Sequence, residues 1–170
     1  AAVAGGIPVI KSVREALAGN SVSEVAGIIN GTANFILTEM SNKGRAFEEV
    51  LLEAQALGYA DADPTFDIDG TDAAHKLVIL ASLAFGTPLS IDAPAKQGIQ
   101  ALTPEDLDYA KTLGYRVKHL GIARRTGGRI EMRVHPTLIP ETKQLAGIDG
   151  VLNAITAQAD AVGDLLSVGP

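Results

Sequence analysis

The chain has 170 residues, 46% hydrophobic and 20% charged, with 14 basic against 20 acidic side chains and a net charge of −6. That length and apolar share suit one domain with a real core and exclude a disordered polymer, and the acidic balance argues against nucleic acid or an anionic membrane as partner. The absence of cysteine removes disulfides, a thiolate nucleophile and zinc–thiolate sites and fits a reducing cytoplasm, while the longest uncharged apolar run, about ten residues, is too short to span a bilayer and carries no signal-peptide pattern.

Taken in chain order, Ile7-Pro8-Val9-Ile10 reads as a short strand after a Gly-rich start. Ser12 to Ala18 reads as a short helix stopped at Gly19-Asn20. Val22 to Ile29 is expected as a strand, and Asn30-Gly31-Thr32 turns it into a helix over Ala33 to Asn42 that Gly44 closes. Ala46 to Leu57 is amphipathic, with Phe47, Val50, Leu51, Ala54 and Leu57 on one face and Gly58 at its end. An acidic, Pro- and Gly-marked loop follows, and then a helix over Asp72 to Phe85. Thr103-Pro104-Glu105-Asp106 is a helix start with Thr103 as N-cap and Asp106 completing a capping box. Tyr115 to Arg125 and Arg129 to Val134 form a hairpin around Gly127-Gly128, with Ile130, Met132 and Val134 on one face. Gly150 to Ala159 is expected as a last strand. The layout is α+β: helices early, a hairpin late, and a mixed sheet between them. A start at Ala1 without Met and an end at Gly169-Pro170 read as cuts through a longer polypeptide.

The chemistry concentrates in Leu57 through Lys76. Four carboxylates, Asp61, Asp63, Asp67 and Asp69, occupy its loop, and Asp72 and Lys76 fall four apart on one helical face, one turn from each other. After Lys76 the helix is uncharged through Phe85. The plain reading of this pair is a surface ion pair worth ~0.3–0.5 kcal/mol. The apolar continuation instead favours a helix that carries its lysine into a sheltered polar site, where it can relay protons. An EF-hand fails, because aligning Gly70 to the loop's invariant glycine places Lys76 where the bidentate glutamate belongs. The Asn30-Gly31-Thr32 turn is either an ordinary helix cap or a set of backbone N–H groups able to hold a carboxylate or phosphate. No G-x-G-x-x-G occurs, so this chain carries no dinucleotide fingerprint. His75, His119 and His135 lack metal-ligand spacing and read as packed or exposed structural residues.

Three segments together resemble homoserine dehydrogenase: Ala1-Ala2-Val3-Ala4-Gly5-Gly6-Ile7-Pro8-Val9-Ile10, Gly27-Ile28-Ile29-Asn30-Gly31-Thr32-Ala33-Asn34-Phe35-Ile36-Leu37-Thr38, and Leu57 through Lys76. They occur in that family's order and spacing, and the similarity covers essentially the whole chain. The resemblance implies that residues 1–170 are the catalytic, substrate-binding and dimerisation domain of an enzyme interconverting L-homoserine and L-aspartate 4-semialdehyde with NAD(P). It implies that Lys76 transfers the proton and that Asp72 binds substrate one turn before it. Asp61 stands where the family usually has glutamate, one methylene shorter, as a ligand of the substrate amino group. Gly31, Thr32 and Tyr59 match the pocket wall, and Gly58 matches a cofactor-contacting glycine. The backbone at Val3, Gly5 and Ile7 matches a monovalent-cation site, with sodium as the expected ion. The resemblance places a Rossmann NAD(P)-binding domain outside this chain, with a second functional lysine before Ala1 and a glycine-rich cofactor segment after Pro170. The isolated fragment is therefore expected to be inactive and the parent enzyme to be a cytoplasmic homodimer. A non-catalytic dimerisation domain and an NAD(P)-linked dehydrogenase for another amino or hydroxy acid are the alternative readings.

Overall fold

Apolar residues at 9, 13 and 17 recur every fourth position, and in the computed structural model, which describes residues 3–170, they wind the opening segment rather than extend it. Helix α1 (Val9–Lys11) runs on into a π-helical stretch, Ser12–Ala16, in which Leu17 N–H reaches the Ser12 carbonyl (3.1 Å). This corrects the expected strand at Ile7–Ile10. A four-residue apolar run does not distinguish strand from helix, and Pro8 at the N-cap suits a helix start. Val9, Val13 and Leu17 are buried in the main core. Ala1 and Ala2, the start of the first resemblance segment, lie outside the described residues.

The centre of the fold is a six-stranded sheet in the order β2-β4-β3-β1-β5-β6. Its strands are β1 (Val22–Ile28), β2 (Ala95–Lys96), β3 (Tyr115–Thr126), β4 (Arg129–Pro140), β5 (Asn153–Ala159) and β6 (Gly163–Gly169). The β2–β4 pair is parallel and the other neighbours are antiparallel, so the sheet is mixed. Gly127 and Gly128 have φ of 56° and 80° at the β3–β4 turn. Two consecutive positive φ values are what a tight two-residue hairpin needs. Strand β4 passes the expected end at Val134 and runs through Pro136 to Pro140. It can do so because β2 covers only Arg133 and Val134, leaving the rest of β4 an edge that tolerates proline.

Helix α5 (Thr71–Phe85) lies across β1, β3 and β4. Leu77, Leu80 and Ala81 pack there against Val25, Ala123, Met132 and Val134. The hairpin alternation expected from sequence is thus the buried face: Met132 and Val134 lie under α5, with Ile130 at the margin. A second core joins α2 (Gly31–Lys43), α3 (Phe47–Ala56) and α6 (Pro104–Thr112) through Ile36, Met40, Val50 and Leu107. Leu57, read as part of the α3 apolar face, is instead the exposed C-cap of that helix. The Thr103–Asp106 capping box forms as expected. The opposite sheet face is not wholly wet. A 3₁₀ turn at Gln144–Gly147 places Ala146 over Ile28, Leu120 and Ile139.

Candidate active site

Strand β1 ends at Ile28, and the chain enters α2 through Asn30, which is extended (φ −134°) and 5% exposed. The Asn30 Oδ1 accepts the Ala33 N–H at 2.8 Å, so the helix-cap reading of this turn holds. The amide does more than cap. Its Nδ2 donates to Asp67 Oδ1 (2.7 Å) and Asp72 Oδ2 (3.0 Å). Asp67 comes from α4 (Thr65–Ile68), a single turn within the acidic loop, and Asp72 from the first turn of α5. One turn later, Lys76 Nζ pairs with Asp72 Oδ2 at 2.5 Å and donates to the Ile29 carbonyl at 3.3 Å. The side chains of Lys76 and Asp72 are only 19% and 28% exposed. The ion pair expected from their spacing therefore exists, but in a sheltered wall rather than on a solvated helix face.

This wall bounds an open pocket of about 320 Å³ lined by Asn30, Gly31, Thr32, Tyr59, Asp61, Asp67, Lys76 and Val151. Five sequence-derived candidates, Lys76, Asp61, Gly31, Thr32 and Tyr59, thus converge from α2, α5 and the loop after α3. Asp72 stands behind Lys76. Thr32 Oγ1 donates to the Tyr59 carbonyl (2.5 Å), and the Tyr59 ring meets Phe35 edge-on at 5.1 Å, which anchors the loop to α2. Gly58 precedes Tyr59 in the left-handed region (φ 75°), with nothing within 4 Å of where a side chain would begin. Burial raises the Asp67 carboxyl above its ordinary range; the Asn30 amide opposes this, Asp72 repulsion adds to it and Lys76 draws it back. The pocket therefore has an excess of carboxylate over ammonium and suits a cationic group with a polar neighbour.

Val3, Gly5 and Ile7 lie elsewhere, against the end of β6. Ala4 and Gly5 curl through φ of 60° and 55°, and Gly6 N–H donates to the Pro170 carbonyl at 2.6 Å. Among the described residues the carbonyls of Val3 and Gly5 accept no backbone hydrogen bond, whereas that of Ile7 accepts the Val9 N–H (2.7 Å). Oxygen donors of this kind fit a hard cation. No group of three or more His, Asp or Glu side chains among the described residues is placed to hold a metal. His75 packs edge-on against Phe66 at 6.5 Å, and His119 is buried against the Gln97 carbonyl (2.9 Å). Burial lowers the His119 pKa. Sequence reasoning treated Asn30 only as a turn residue and missed Val151, which lies 75 residues beyond Lys76 in an unremarkable Gly-Val-Leu stretch.

A family model described as homoserine dehydrogenase matches residues 8–170. The chain belongs to the homoserine dehydrogenase family. It is 62% identical over 169 residues to a homoserine dehydrogenase of Pseudomonas aeruginosa, covering 99% of this chain and 39% of that protein. A homoserine dehydrogenase crystal structure from Thiobacillus denitrificans superposes with a TM-score of 0.96 at 59% identity, over 98% of this chain and 39% of that one. A hyperthermophilic archaeal homoserine dehydrogenase mutant, solved in complex with NADPH, superposes with a TM-score of 0.78 at 28% identity, over 96% of this chain and 46% of that one. The chain thus spans about 39% of the length of the curated relatives it matches. The α+β mixed-sheet fold expected from sequence is the fold of this homoserine dehydrogenase domain. No helix among the described residues is long and apolar enough to cross a membrane.

Proposed function

We propose that this chain is the substrate-binding and proton-transfer domain of an NAD(P)-dependent homoserine dehydrogenase serving threonine, methionine and isoleucine biosynthesis in the cytoplasm. The observation that carries the reading is the Lys76–Asp72 pair, sheltered in the wall of a carboxylate-lined pocket. L-Homoserine carries an ammonium, a carboxylate and a hydroxyl. Asp61 and Asp67 receive the ammonium. The N–H groups at the start of α2, beside Gly31 and Thr32, receive the carboxylate, helped by the helix dipole. Lys76 Nζ holds the hydroxyl oxygen and stabilises the alkoxide that develops as hydride leaves carbon; an ammonium has no lone pair, so it takes up the hydroxyl proton only as it gives one of its own to solvent. Asp72 and the Ile29 carbonyl fix the direction of that ammonium.

NAD(P), when bound, supplies the hydride acceptor. Gly58 fits contact with it, since the open space at its α-carbon leaves room for a flat ring beside the pocket. The rest of the dinucleotide is held by a Rossmann domain on the same polypeptide, which makes the isolated 170-residue chain inactive. The domain also carries the homodimer contact, and the Val3, Gly5 and Ile7 backbone carbonyls would hold a monovalent cation, sodium, if one binds. The test is homoserine-dependent NAD(P) reduction by the complete enzyme with and without Lys76→Ala. A fall of about 10²-fold or more is expected for a lost proton-transfer group. Equal turnover removes Lys76 from the mechanism and leaves the non-catalytic dimerisation reading. Turnover only on another amino or hydroxy acid keeps the domain assignment and replaces the substrate.

A further inference from the structure

Among the described residues, Lys118 of β3 is the largest fully buried side chain, at 1% exposure. An apolar residue of similar size is ordinarily at least as stable as a buried ammonium, so the lysine calls for a positional explanation. Its Nζ donates to Ile148 O (2.6 Å), Asp149 Oδ1 (2.8 Å) and Asn34 Oδ1 (3.3 Å), using all three of its hydrogens. Burial draws its pKa down, while the bond and charge of Asp149 hold it up.

The partners form a clamp on one short segment, 148–152. Asn34 Nδ2 donates to the carbonyls of Ile148 (3.1 Å) and Leu152 (3.3 Å). Thr38 Oγ1 accepts the Gly150 N–H at 3.1 Å and donates to the Asn34 carbonyl at 2.7 Å. The segment is thus held on both sides of Val151 by Lys118 and by one face of α2. Val151 lines the carboxylate pocket, and its carbonyl oxygen lies 2.8 Å from where a Gly31 side chain would begin. The same helix therefore carries Gly31 and Thr32 at its start and the clamp one to two turns later.

We propose that Lys118 is a positioning residue that pins segment 148–152 against α2, so that Val151 forms the wall of the substrate pocket beside Gly31; the proposal rests on reading that pocket as the homoserine site. Loosening the clamp moves this wall without touching Lys76 or the carboxylates. The complete enzyme with Lys118→Met, and separately with the near-isosteric Thr38→Val, tests it. The expected result is a KM for homoserine raised about tenfold in Lys118→Met and less in Thr38→Val, the scale of a misplaced contact. In both, kcat and the KM for NAD(P) stay within about twofold, and amide hydrogen exchange at 148–152 quickens. An unchanged homoserine KM in a folded variant overturns the proposal, even where thermal stability falls. If Lys118→Met does not fold, Thr38→Val decides by the same two readouts. If the wild type does not oxidise homoserine, the functional reading fails on its own, and exchange without substrate still judges the clamp: faster exchange in the variants supports it and unchanged exchange overturns it.

Discussion

Asn30 is asked to do two things at once, and two substitutions separate them. Asn30→Ala removes an N-cap bond, which costs about 1 kcal/mol, and two bonds to carboxylates, each worth about 1.5 kcal/mol at the low end suited to a half-open site. Water entering the pocket recovers part of this, so the net loss is about 2–4 kcal/mol. For a domain of this size that is a fall in Tm of roughly 5–15 °C. Asn30→Asp keeps the Oδ acceptor for the Ala33 N–H but loses both donations and puts a third carboxylate beside Asp67 and Asp72. Like charges at that distance raise one another's pKa in the folded state. The folded protein then binds protons more tightly than the unfolded chain, so stability is present at low pH and lost as pH rises. Thermal melting followed by circular dichroism from pH 4 to pH 8 is the assay. Asn30→Asp should melt at or below Asn30→Ala at neutral pH and gain on it steadily toward pH 4. Parallel pH profiles for the two variants would refute the argument that Asn30 holds the carboxylates together, and a loss under ~0.5 kcal/mol in Asn30→Ala would refute the cap as well.

Asp67→Asn keeps an oxygen for the Asn30 amide but removes a charge whose burial raises its carboxyl pKa. That carboxyl favours the folded state below its ordinary value, and the contribution is lost as pH rises through the raised value. The variant should therefore melt higher than wild type at neutral pH, with the difference shrinking toward pH 4, while the complete enzyme shows a higher KM for homoserine; a pH-independent difference in Tm would contradict this. Gly27→Ala places a methyl against the Ala154 carbonyl of β5, with Ile155 Cα at 3.0 Å. Neither is a flexible side chain, so a loss of at least ~1–3 kcal/mol is expected in urea unfolding, as overpacking costs, and a neutral result would show that β1 and β5 can part. Thr103→Ala should cost about 1 kcal/mol in the same assay, the worth of its bond to the Asp106 N–H.

Local rules made much of the fold legible. Helices α2, α3, α5 and α6 begin and end within a few residues of where caps, glycines and 3.6-residue periodicity place them, because those signals act over a single turn. The β3–β4 hairpin followed from alternation around Gly127-Gly128 for the same reason. Failures came where the deciding partner is distant. The opening segment winds into a helix because α5 and the sheet bury Val9, Val13 and Leu17. Strand β6 went unread because its seven residues become a strand through pairing with β5.

The candidate site divides along the same line. Sequence alone determined the Asp72–Lys76 pair, since residues four apart on a helix face must meet, and the family motifs supplied Asp61, Gly31, Thr32 and Tyr59 as its neighbours. Only the tertiary structure decided that the pair is sheltered and that Asn30 joins carboxylates from two different elements. It also placed Val151 in the pocket wall, held by a buried lysine 33 residues earlier in the chain. Those features depend on β1 ending beside the starts of α2 and α5. Long-range placement of that kind is set by the packing of the whole core, which no local pattern in the chain records.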